Sequence, residues 1–427
     1  MIHTFEVQYT INREKMYHIV WGHGLLDFAA TIHYPESTLM KMRRRSDRTH
    51  LCTVLSEHEP RCNLIHYPGI KNVQYIVSAD MGQNLRYMVR IIVEPASLVA
   101  GHLTERLFVC TEDTISALSQ AFYHFVSCFF CIVGNLNDRH FLCPPYLYQW
   151  KAHRVDFTID FHVDYPLITK DIMVRSHKSR RGRPYKYSQA RGGNFEQRRN
   201  SRSGKTLLYD KDQQVRVCHS NDEQWSFLDF HNVIRFEYQC GITTLAAKRR
   251  KYHLESALAA TYENPKVLHD SIYLYLFEDL SDIILRDEYQ SIFGFGDYVN
   301  KYWMSRIIND SHYTPRTKNR LMLFTKGIGI IRDVYKARMK FRTGYHIKGE
   351  SNLFQCSDAQ FLNLQKKLEI LGMSSIRLPE KWSLDPKYGI PDPLHFRYVP
   401  NPAPDHWLTS DQLSARRSLR SKLDLSN

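Results

Sequence analysis

The ten residues Arg154–Val163, RVDFTIDFHV, alternate strictly between polar and apolar side chains. Because side chains of a β-strand point alternately to the two faces of a sheet, this period of two predicts a strand. One face would need a hydrophobic core beneath it, and the other would be hydrophilic. The apolar side chains are Val155, Phe157, Ile159 and Phe161, and the polar ones are Arg154, Asp156, Thr158, Asp160 and His162.

Two later segments are also predicted as strands, Thr206–Lys211 and Val233–Gln239. Residues two apart in a strand project the same way, so Tyr209 and Lys211 are expected on one face. Arg235 and Glu237 share a face for the same reason. If all three strands belong to one sheet with their apolar faces in the core, the other face collects carboxylates, a tyrosine, a lysine and an arginine.

This set of side chains suits phosphodiester chemistry. Two carboxylates can hold Mg²⁺ or Mn²⁺, which prefer oxygen ligands, and the cation would polarise a phosphoryl oxygen. A phenol has a pKa of about 10, so a nucleophilic tyrosine needs a nearby cation, and the spacing suggests Lys211. Each residue also has an ordinary interpretation. A strand tyrosine usually packs in the core, outer carboxylates are usually solvated, and Arg235 with Glu237 could be a simple ion pair.

Composition points to a polyanionic partner and a reducing compartment. The chain of 427 residues has 58 Lys and Arg against 44 Asp and Glu, a formal net charge of +14, which would attract nucleic acid. The nine cysteines have no regular spacing, which is typical of reduced cytoplasmic proteins. The chain starts without the pattern of a signal peptide and no apolar run reaches the ~20 residues of a membrane span, so no membrane partner is expected.

The order of patterns along the chain predicts an α+β protein. A twisted antiparallel β-sheet domain is expected over 1–244, followed by a helical domain over 245–378 that would contact DNA. Residues 379–427 are proline-rich at first and are expected to be extended and mobile. Helix start signals stand at Thr111, before two acidic residues, and at Ser357, fifteen residues before a glycine.

A basic arm, residues 174–204, separates the first two predicted strands. It is rich in glycine, serine and arginine with interleaved aromatic residues, which predicts a loop. By default such a segment is simply solvated, but it could also grip phosphates. Its candidate DNA-binding residues are Arg180, Arg181, Arg183, Lys186, Arg198, Arg199 and Arg202.

Four sequence blocks together resemble a known family. The segments RVDFT at 154–158, TLLYDK at 206–211 and IRFE at 234–237 are similar to the Arg-Ile-Asp, Tyr-x-Lys and Arg-Phe-Glu blocks of filamentous-phage gene II type rolling-circle replication initiators. Upstream, EPASLVAGH at 94–102 resembles that family's Ser-Pro-Ala-x-x-Leu-x-Gly-His block. YDKDQQ is also similar to a block of plasmid initiators. The blocks keep the family's order and cover roughly 90–240, but the His-hydrophobe-His metal motif of other nicking relaxases is absent.

The resemblance implies a specific chemistry. Tyr209 would cut one strand at a replication origin and hold the 5′-phosphate as a phosphotyrosine, and Lys211 would stabilise the phenolate or the leaving oxygen. Asp156 and Glu237 would bind Mg²⁺ or Mn²⁺, with His102 as the candidate histidine ligand. Arg154 and Arg235 would be further DNA contacts. The partners would be double- and single-stranded origin DNA, a host helicase and a host polymerase, in the cytoplasm of a bacterial host.

Two alternatives remain open at this point. A non-enzymatic DNA-binding regulator of replication or transcription would use the same basic surface without chemistry. A metal-dependent RNA-processing nuclease would use water as its nucleophile, so it would cleave without forming a covalent protein–nucleic acid adduct.

Overall fold

The computed structural model describes residues 1–23, 25, 51–56, 67–79, 85–133, 139–176, 186–188, 195–199, 204–218, 232–255, 270–378, 389–390 and 392–393. Helices and mainly antiparallel strands are both present, so the α+β class is confirmed. The chain forms two compact units, the first from Met1–Thr158 with Gln239–Asp282 and the second from Ile159–Tyr238 with Ile283–Pro400. The units are therefore interleaved along the chain, whereas the sequence predicts consecutive domains that meet at residues 244 and 378.

The strands in chain order are β1 (Ile2–Ile11), β2 (Leu51–Ser56), β3 (Ile70–Ala79), β4 (Leu85–Val93), β5 (Cys131–Val133), β6 (Arg139–Phe141), β7 (Lys151–His162), β8 (Lys186–Ser188), β9 (Phe195–Arg199), β10 (Gly204–Asp210), β11 (Val233–Gly241), β12 (Tyr298–Val299), β13 (Tyr345–His346), β14 (Leu353–Phe354) and β15 (Gly389–Ile390). The α-helices are α1 (Arg13–Gly22), α2 (Pro95–Ala100), α3 (Glu112–Phe129), α4 (Pro166–Ser176), α5 (Lys211–Cys218), α6 (Ile242–Lys251), α7 (Glu278–Phe293), α8 (Lys301–Asp310), α9 (Pro315–Ile331), α10 (Val334–Thr343) and α11 (Asp358–Ile370).

The first unit is built on an antiparallel sheet with the strand order β2-β3-β4-β1-β7. Its core forms around α3, whose apolar stripe of Leu118, Phe122 and Phe125 is buried. The fully buried ring of Trp150 lies 5.6 Å from the ring of Phe122. Among the described residues, no helix combines the length and apolarity that crossing a membrane requires.

The second unit contains the strand order β7-β11-β10-β9-β8. The apolar face of its central strands is covered by α7, because the ring of Phe236 lies 5.8 Å from that of Tyr289 and 5.9 Å from that of Phe293. Phe161 of β7 packs on Tyr289 as well, at 5.7 Å. Since alternate strand residues face opposite ways, Arg235 and Glu237 must point away from this core.

The two helix start signals are confirmed. The Thr111 side chain accepts a hydrogen bond from the backbone N–H of Thr114 at the start of α3, and Ser357 does the same for Gln360 at the start of α11. Each forms a reciprocal capping box, which satisfies backbone donors that the first helical turn leaves without partners. Gly372 follows α11 with a positive φ of 73°, as the predicted helix end requires.

The helical spacing over 327–341 predicts one helix, but the structure has two. The backbone turns at Arg332, which ends α9 with a left-handed φ of 58°. Asp333 then caps α10, because its side chain accepts a hydrogen bond of 2.7 Å from the backbone N–H of Lys336. An aspartate at this position competes with helix continuation by offering the next turn a cap.

Part of the predicted extended tail belongs to the folded second unit. Within 379–427, Gly389–Ile390 pairs as strand β15 with β12, and Asp392 is buried. The Asp392 carboxylate accepts hydrogen bonds of 2.9 Å from the phenol of Tyr289 and from the backbone N–H of Gly296. This arrangement, the Asp392 anchor, ties residues 389–393 to α7 and the turn that follows it. The rest of 379–427 lies outside the described residues.

Candidate active site around Tyr209 and Glu237

Tyr209 lies near the end of β10 and points at a carboxylate of the neighbouring strand. Its phenolic O–H donates a short hydrogen bond to Oε1 of Glu237 in β11. The tyrosine is only 6% exposed and Glu237 only 3%. The strand order β7-β11-β10 brings the two residues together although 28 positions separate them in sequence. The ring of Tyr209 is therefore buried, but against a polar group.

The second part of this cluster is a buried ion pair. The guanidinium of Arg235 donates two parallel hydrogen bonds, of 2.7 and 2.9 Å, to the Asp160 carboxylate of β7. The Arg235 side chain is fully buried, whereas that of Asp160 is 19% exposed. Such a bidentate pair fixes the orientation of the guanidinium as well as balancing its charge. Burial opposes the charge on Arg235, yet its hydrogen bonds and charge pairing with Asp160 raise its pKa above the ordinary value.

The protonation of Tyr209 follows from these neighbours. Burial raises the pKa of the phenol well above its usual value near 10, and the charge of Glu237 raises it further. Arg235 lowers the same pKa but does not outweigh the other two influences. The phenol is therefore neutral at physiological pH and serves as a hydrogen-bond donor to the glutamate. An attack by its oxygen requires a base to take the proton.

The raised pKa has a consequence for stability at alkaline pH. The folded pKa of Tyr209 lies above the unfolded value of about 10, so the stabilisation is complete below that pH and is lost above it, as the unfolded chain ionises first. Above about pH 10 each such tyrosine lowers the free energy of unfolding by about 1.4 kcal/mol per pH unit. Tyr209→Phe should remove this one-proton contribution to the pH dependence of the unfolding free energy. Urea unfolding between about pH 9 and 11 measures the change.

A matched comparison makes that measurement specific. Tyr302, with 66% of its surface exposed, provides a control for the simple loss of one tyrosine. If Tyr209→Phe and Tyr302→Phe leave the same pH dependence of unfolding, the buried phenol does not titrate as the geometry around Glu237 requires.

Lys211 occupies a different position from the one the sequence predicts. The strand ends at Asp210, whose side chain accepts a hydrogen bond of 3.1 Å from the backbone N–H of Gln213. Lys211 is therefore the first residue of helix α5, and the alternation that would align it with Tyr209 does not apply. Its side chain is fully buried and its ammonium donates a 2.6 Å hydrogen bond to Gln214. Its predicted catalytic role stays a prediction.

Arg154 and Asp156 pair with each other in the first unit. The guanidinium of Arg154 holds the Asp156 carboxylate through hydrogen bonds of 3.0 and 3.1 Å, and it also contacts Glu6 at 2.5 Å. His153 adds a 3.0 Å contact to the same glutamate. Burial raises the pKa of Glu6, but the hydrogen bond from His153 and the charge of Arg154 lower it more. In this state the carboxylates of Glu6 and Asp156 neutralise Arg154, and the predicted binding of Arg154 to DNA stays a prediction.

The predicted metal ligands His102, Asp156 and Glu237 occupy separate elements. His102 is exposed in the turn after α2, where its Nδ1 lies 3.0 Å from the carbonyl oxygen of Ala100. Asp156 belongs to the first unit and Glu237 to the second. Over the described part of the chain, no three His, Cys, Asp or Glu side chains are grouped so that they could hold a metal ion. The predicted roles of these three residues as metal ligands, and the dependence on Mg²⁺ or Mn²⁺, therefore stay predictions.

Apart from Arg154, the residues that are predicted to bind DNA fall into three groups. Arg235 is fully buried against Asp160, so in this state it cannot present its charge to DNA. Within the basic arm, which the sequence predicts to be a loop, Lys186 lies in β8, and Arg198 and Arg199 lie in β9. The remaining residues lie outside the described residues: Arg180, Arg181, Arg183 and Arg202.

The structure also assigns a role to Asp160, which the sequence places only on the hydrophilic face of its strand. As the acceptor of both Arg235 hydrogen bonds, it holds the cation beside Tyr209 and Glu237. Strand alternation indicates its face, but its partner is 75 residues away and only the strand order identifies it.

Comparisons of this chain with models of protein families, with curated proteins and with solved structures find no match.

Proposed function

We propose that this protein is a rolling-circle replication initiator that nicks and rejoins one DNA strand at an origin through Tyr209. The observation that supports this function best is the hydrogen bond from the Tyr209 phenol to Glu237, with the Arg235 cation close by. A phenol beside a proton acceptor and a cation is the arrangement that a tyrosine nucleophile needs. The net charge of +14 is consistent with a DNA substrate.

In this proposal Glu237 is the base. The phenolic oxygen of Tyr209 attacks the phosphorus of a phosphodiester while its proton passes to the Glu237 carboxylate. The bond from phosphorus to the 3′-oxygen breaks, and that oxygen takes the proton from Glu237 to become a free 3′-hydroxyl. The 5′-phosphate stays esterified to Tyr209, and the reverse attack by a 3′-hydroxyl rejoins the strand without ATP, because the ester conserves the energy of the broken bond.

Arg235 is buried against Asp160 in the closed state, and once the site opens it would stabilise the charge that develops at the phosphate. A fixed cation in a water-poor site acts more strongly than one in solution and needs no reorganisation during the reaction. Asp160 would act as a positioning residue that holds this guanidinium. Because Tyr209 is only 6% exposed, the proposal requires local opening around the end of β10 before a phosphate can reach the phenol.

The proposal assigns no step to a metal ion. Mg²⁺ and Mn²⁺ are the predicted cofactors and belong in every assay. By resemblance to phage initiators, the protein would work in a bacterial cytoplasm on origin DNA, together with a host helicase and a host polymerase.

A second candidate function is supported by the burial of Tyr209. A buried phenol with a raised pKa is also typical of a tyrosine that only stabilises the fold. In that case the protein would be a non-enzymatic DNA-binding regulator, and the cluster around Arg235 would only stabilise the sheet.

Trapping a covalent adduct separates these functions. Short single strands that tile the DNA flanking the coding sequence, labelled at either the 5′ or the 3′ end, are incubated with the protein in Mg²⁺ or Mn²⁺ and denatured. We expect the 3′ label to migrate with the protein and the 5′ label to be released, since the tyrosine would hold the 5′-phosphate of the downstream fragment. Binding without cleavage would favour the regulator, and cleavage without an adduct would favour a nuclease that uses water.

A further inference from the structure

Helix α10 and the hairpin that follows it form one basic surface of the second unit. Residues 332–348 carry the cations Arg332, Lys336, Arg338, Lys340, Arg342 and Lys348. Residues 332–354, which include the whole hairpin, contain two acids, Asp333 and Glu350, so six cations less two acids give this segment a formal charge of +4. We name the surface of α10 with β13, β14 and their connecting turn the basic helix–hairpin.

The two faces of α10 are sharply divided. Val334, Ala337 and Phe341 are buried against the unit. On the opposite stripe, at the i, i+4 and i+7 positions, Lys336, Lys340 and Thr343 are exposed, and Met339 between them is 45% exposed. This stripe is not an apolar face that awaits a protein partner, because its dominant side chains are cationic.

The hairpin is fixed to the helix rather than loosely attached. The ring of Phe354 lies 4.9 Å from that of Phe341, and the backbone N–H of Cys356 donates a 3.0 Å hydrogen bond to the Phe341 carbonyl. The ammonium of Lys340 lies 5.2 Å from the centre of the Tyr345 ring, so one of the cations spans helix and hairpin. The helix and the hairpin can therefore contact one ligand together, because they are already held in place and lose little conformational entropy on binding.

Neighbouring acids cancel only part of this charge. Glu350 in the turn pairs with Lys326 at 2.5 Å, and Asp358 pairs with Arg338 at 2.9 Å. Asp333 caps the first turn of α10 and lies 3.9 Å from the Lys336 ammonium. Even so, the Lys336 side chain is 72% exposed, which leaves its charge available to a large polyanion.

From this geometry we infer that the basic helix–hairpin binds duplex DNA, with α10 in the major groove and the hairpin turn on the adjacent backbone. The major groove is about 12 Å wide and admits an α-helix with its side chains. Lys336, Lys340 and Arg342 would contact phosphates, while Met339 and Thr343 lie where base edges would be. The choice of DNA as ligand rests on the proposed function, but the surface is separate from Tyr209 and can be tested alone.

The test compares two pairs of substitutions in the full-length protein. Lys336→Ala with Lys340→Ala removes two cations from the exposed stripe, and Arg13→Ala with Lys15→Ala removes two exposed cations from α1 as the matched control. Binding of a labelled short duplex is measured by fluorescence anisotropy over a series of salt concentrations. We expect the first pair to weaken binding by about tenfold at about 100 mM salt and to reduce the salt slope by about two, with little change in the control.

Further variants exclude trivial explanations. Lys336→Arg with Lys340→Arg keeps the charge and should keep binding, and Arg342→Ala with Lys348→Ala should weaken it independently if the first pair does not fold. The same strands unpaired, and an RNA duplex, show whether the surface prefers duplex DNA. Equal loss in the α1 control, no loss in either α10 pair, or tighter binding of single strands or RNA would overturn the inference.

This result does not depend on nicking. Tyr209→Phe should bind the duplex as the wild type does, whereas the α10 variants should still form the covalent adduct on single strands. If no adduct forms with any protein, the nicking proposal fails and the duplex measurement still decides the role of the basic helix–hairpin.

Discussion

Tyr209→Phe should eliminate the covalent protein–DNA adduct and lower nicking by at least about 10³-fold, because it removes the oxygen that attacks the phosphate. The measurement is the yield of labelled protein after denaturation, together with the nicking rate on supercoiled origin DNA. The folded state should survive, since losing one buried hydrogen bond costs about 1–3 kcal/mol.

Tyr289 is a structural twin for this experiment. It is also buried, it also donates its phenolic hydrogen to a carboxylate, that of Asp392, and its pKa is likewise raised by burial and by that charge. Tyr289→Phe should therefore cost similar stability without affecting the adduct. An adduct that persists in Tyr209→Phe, or that disappears equally in Tyr289→Phe, would remove Tyr209 from the role of nucleophile.

The second large effect concerns the ion pair behind the tyrosine. Asp160→Asn should destabilise the protein by about 3 kcal/mol, because it leaves the Arg235 charge buried without its counter-charge. Urea unfolding of Asp160→Leu, of Arg235→Met and of the variant that carries both substitutions measures the coupling between the pair. The double variant should recover much of the loss, as apolar groups of similar size tolerate burial.

A surface pair provides the comparison. In α4, Arg175 contacts Asp171 at 2.7 Å with both side chains at least a third exposed, so Asp171→Asn should cost less than about 1 kcal/mol. If Asp160→Asn costs no more than Asp171→Asn, water reaches Arg235 and the site is more open than its burial indicates.

Local signals account for the parts of the fold that the sequence predicts well. Thr111 and Ser357 each start a helix because a cap is satisfied within four residues, so no distant partner is needed. The strands β7, β10 and β11 also follow from alternation, with ends displaced by a few residues. The convergence of Tyr209, Glu237 and Arg235 is expected from their shared strand faces once the strands are assumed to be neighbours.

What the sequence does not predict depends on partners that are distant in the chain. Asp160 and Arg235 pair over 75 positions, and nothing in either segment indicates that both would be largely removed from solvent. Lys211 differs from its predicted place for a local reason. The sequence predicts a strand that continues to Lys211, but the Asp210 side chain caps a helix that begins at Lys211. The strands in the basic arm are also unexpected, because polar segments rich in arginine carry little apolar patterning.

The Asp392 anchor sets a practical limit on shortened versions of this protein. The sequence alone would suggest ending a fragment at Leu378, where the predicted helical domain ends. Such a fragment would deprive the phenol of Tyr289 and the amide of Gly296 of their shared acceptor and would expose the edge of β12. The piece of chain that carries Tyr209 and the basic helix–hairpin should therefore be produced through residue 393, and fragments that stop earlier should be less soluble and more readily cleaved by proteases.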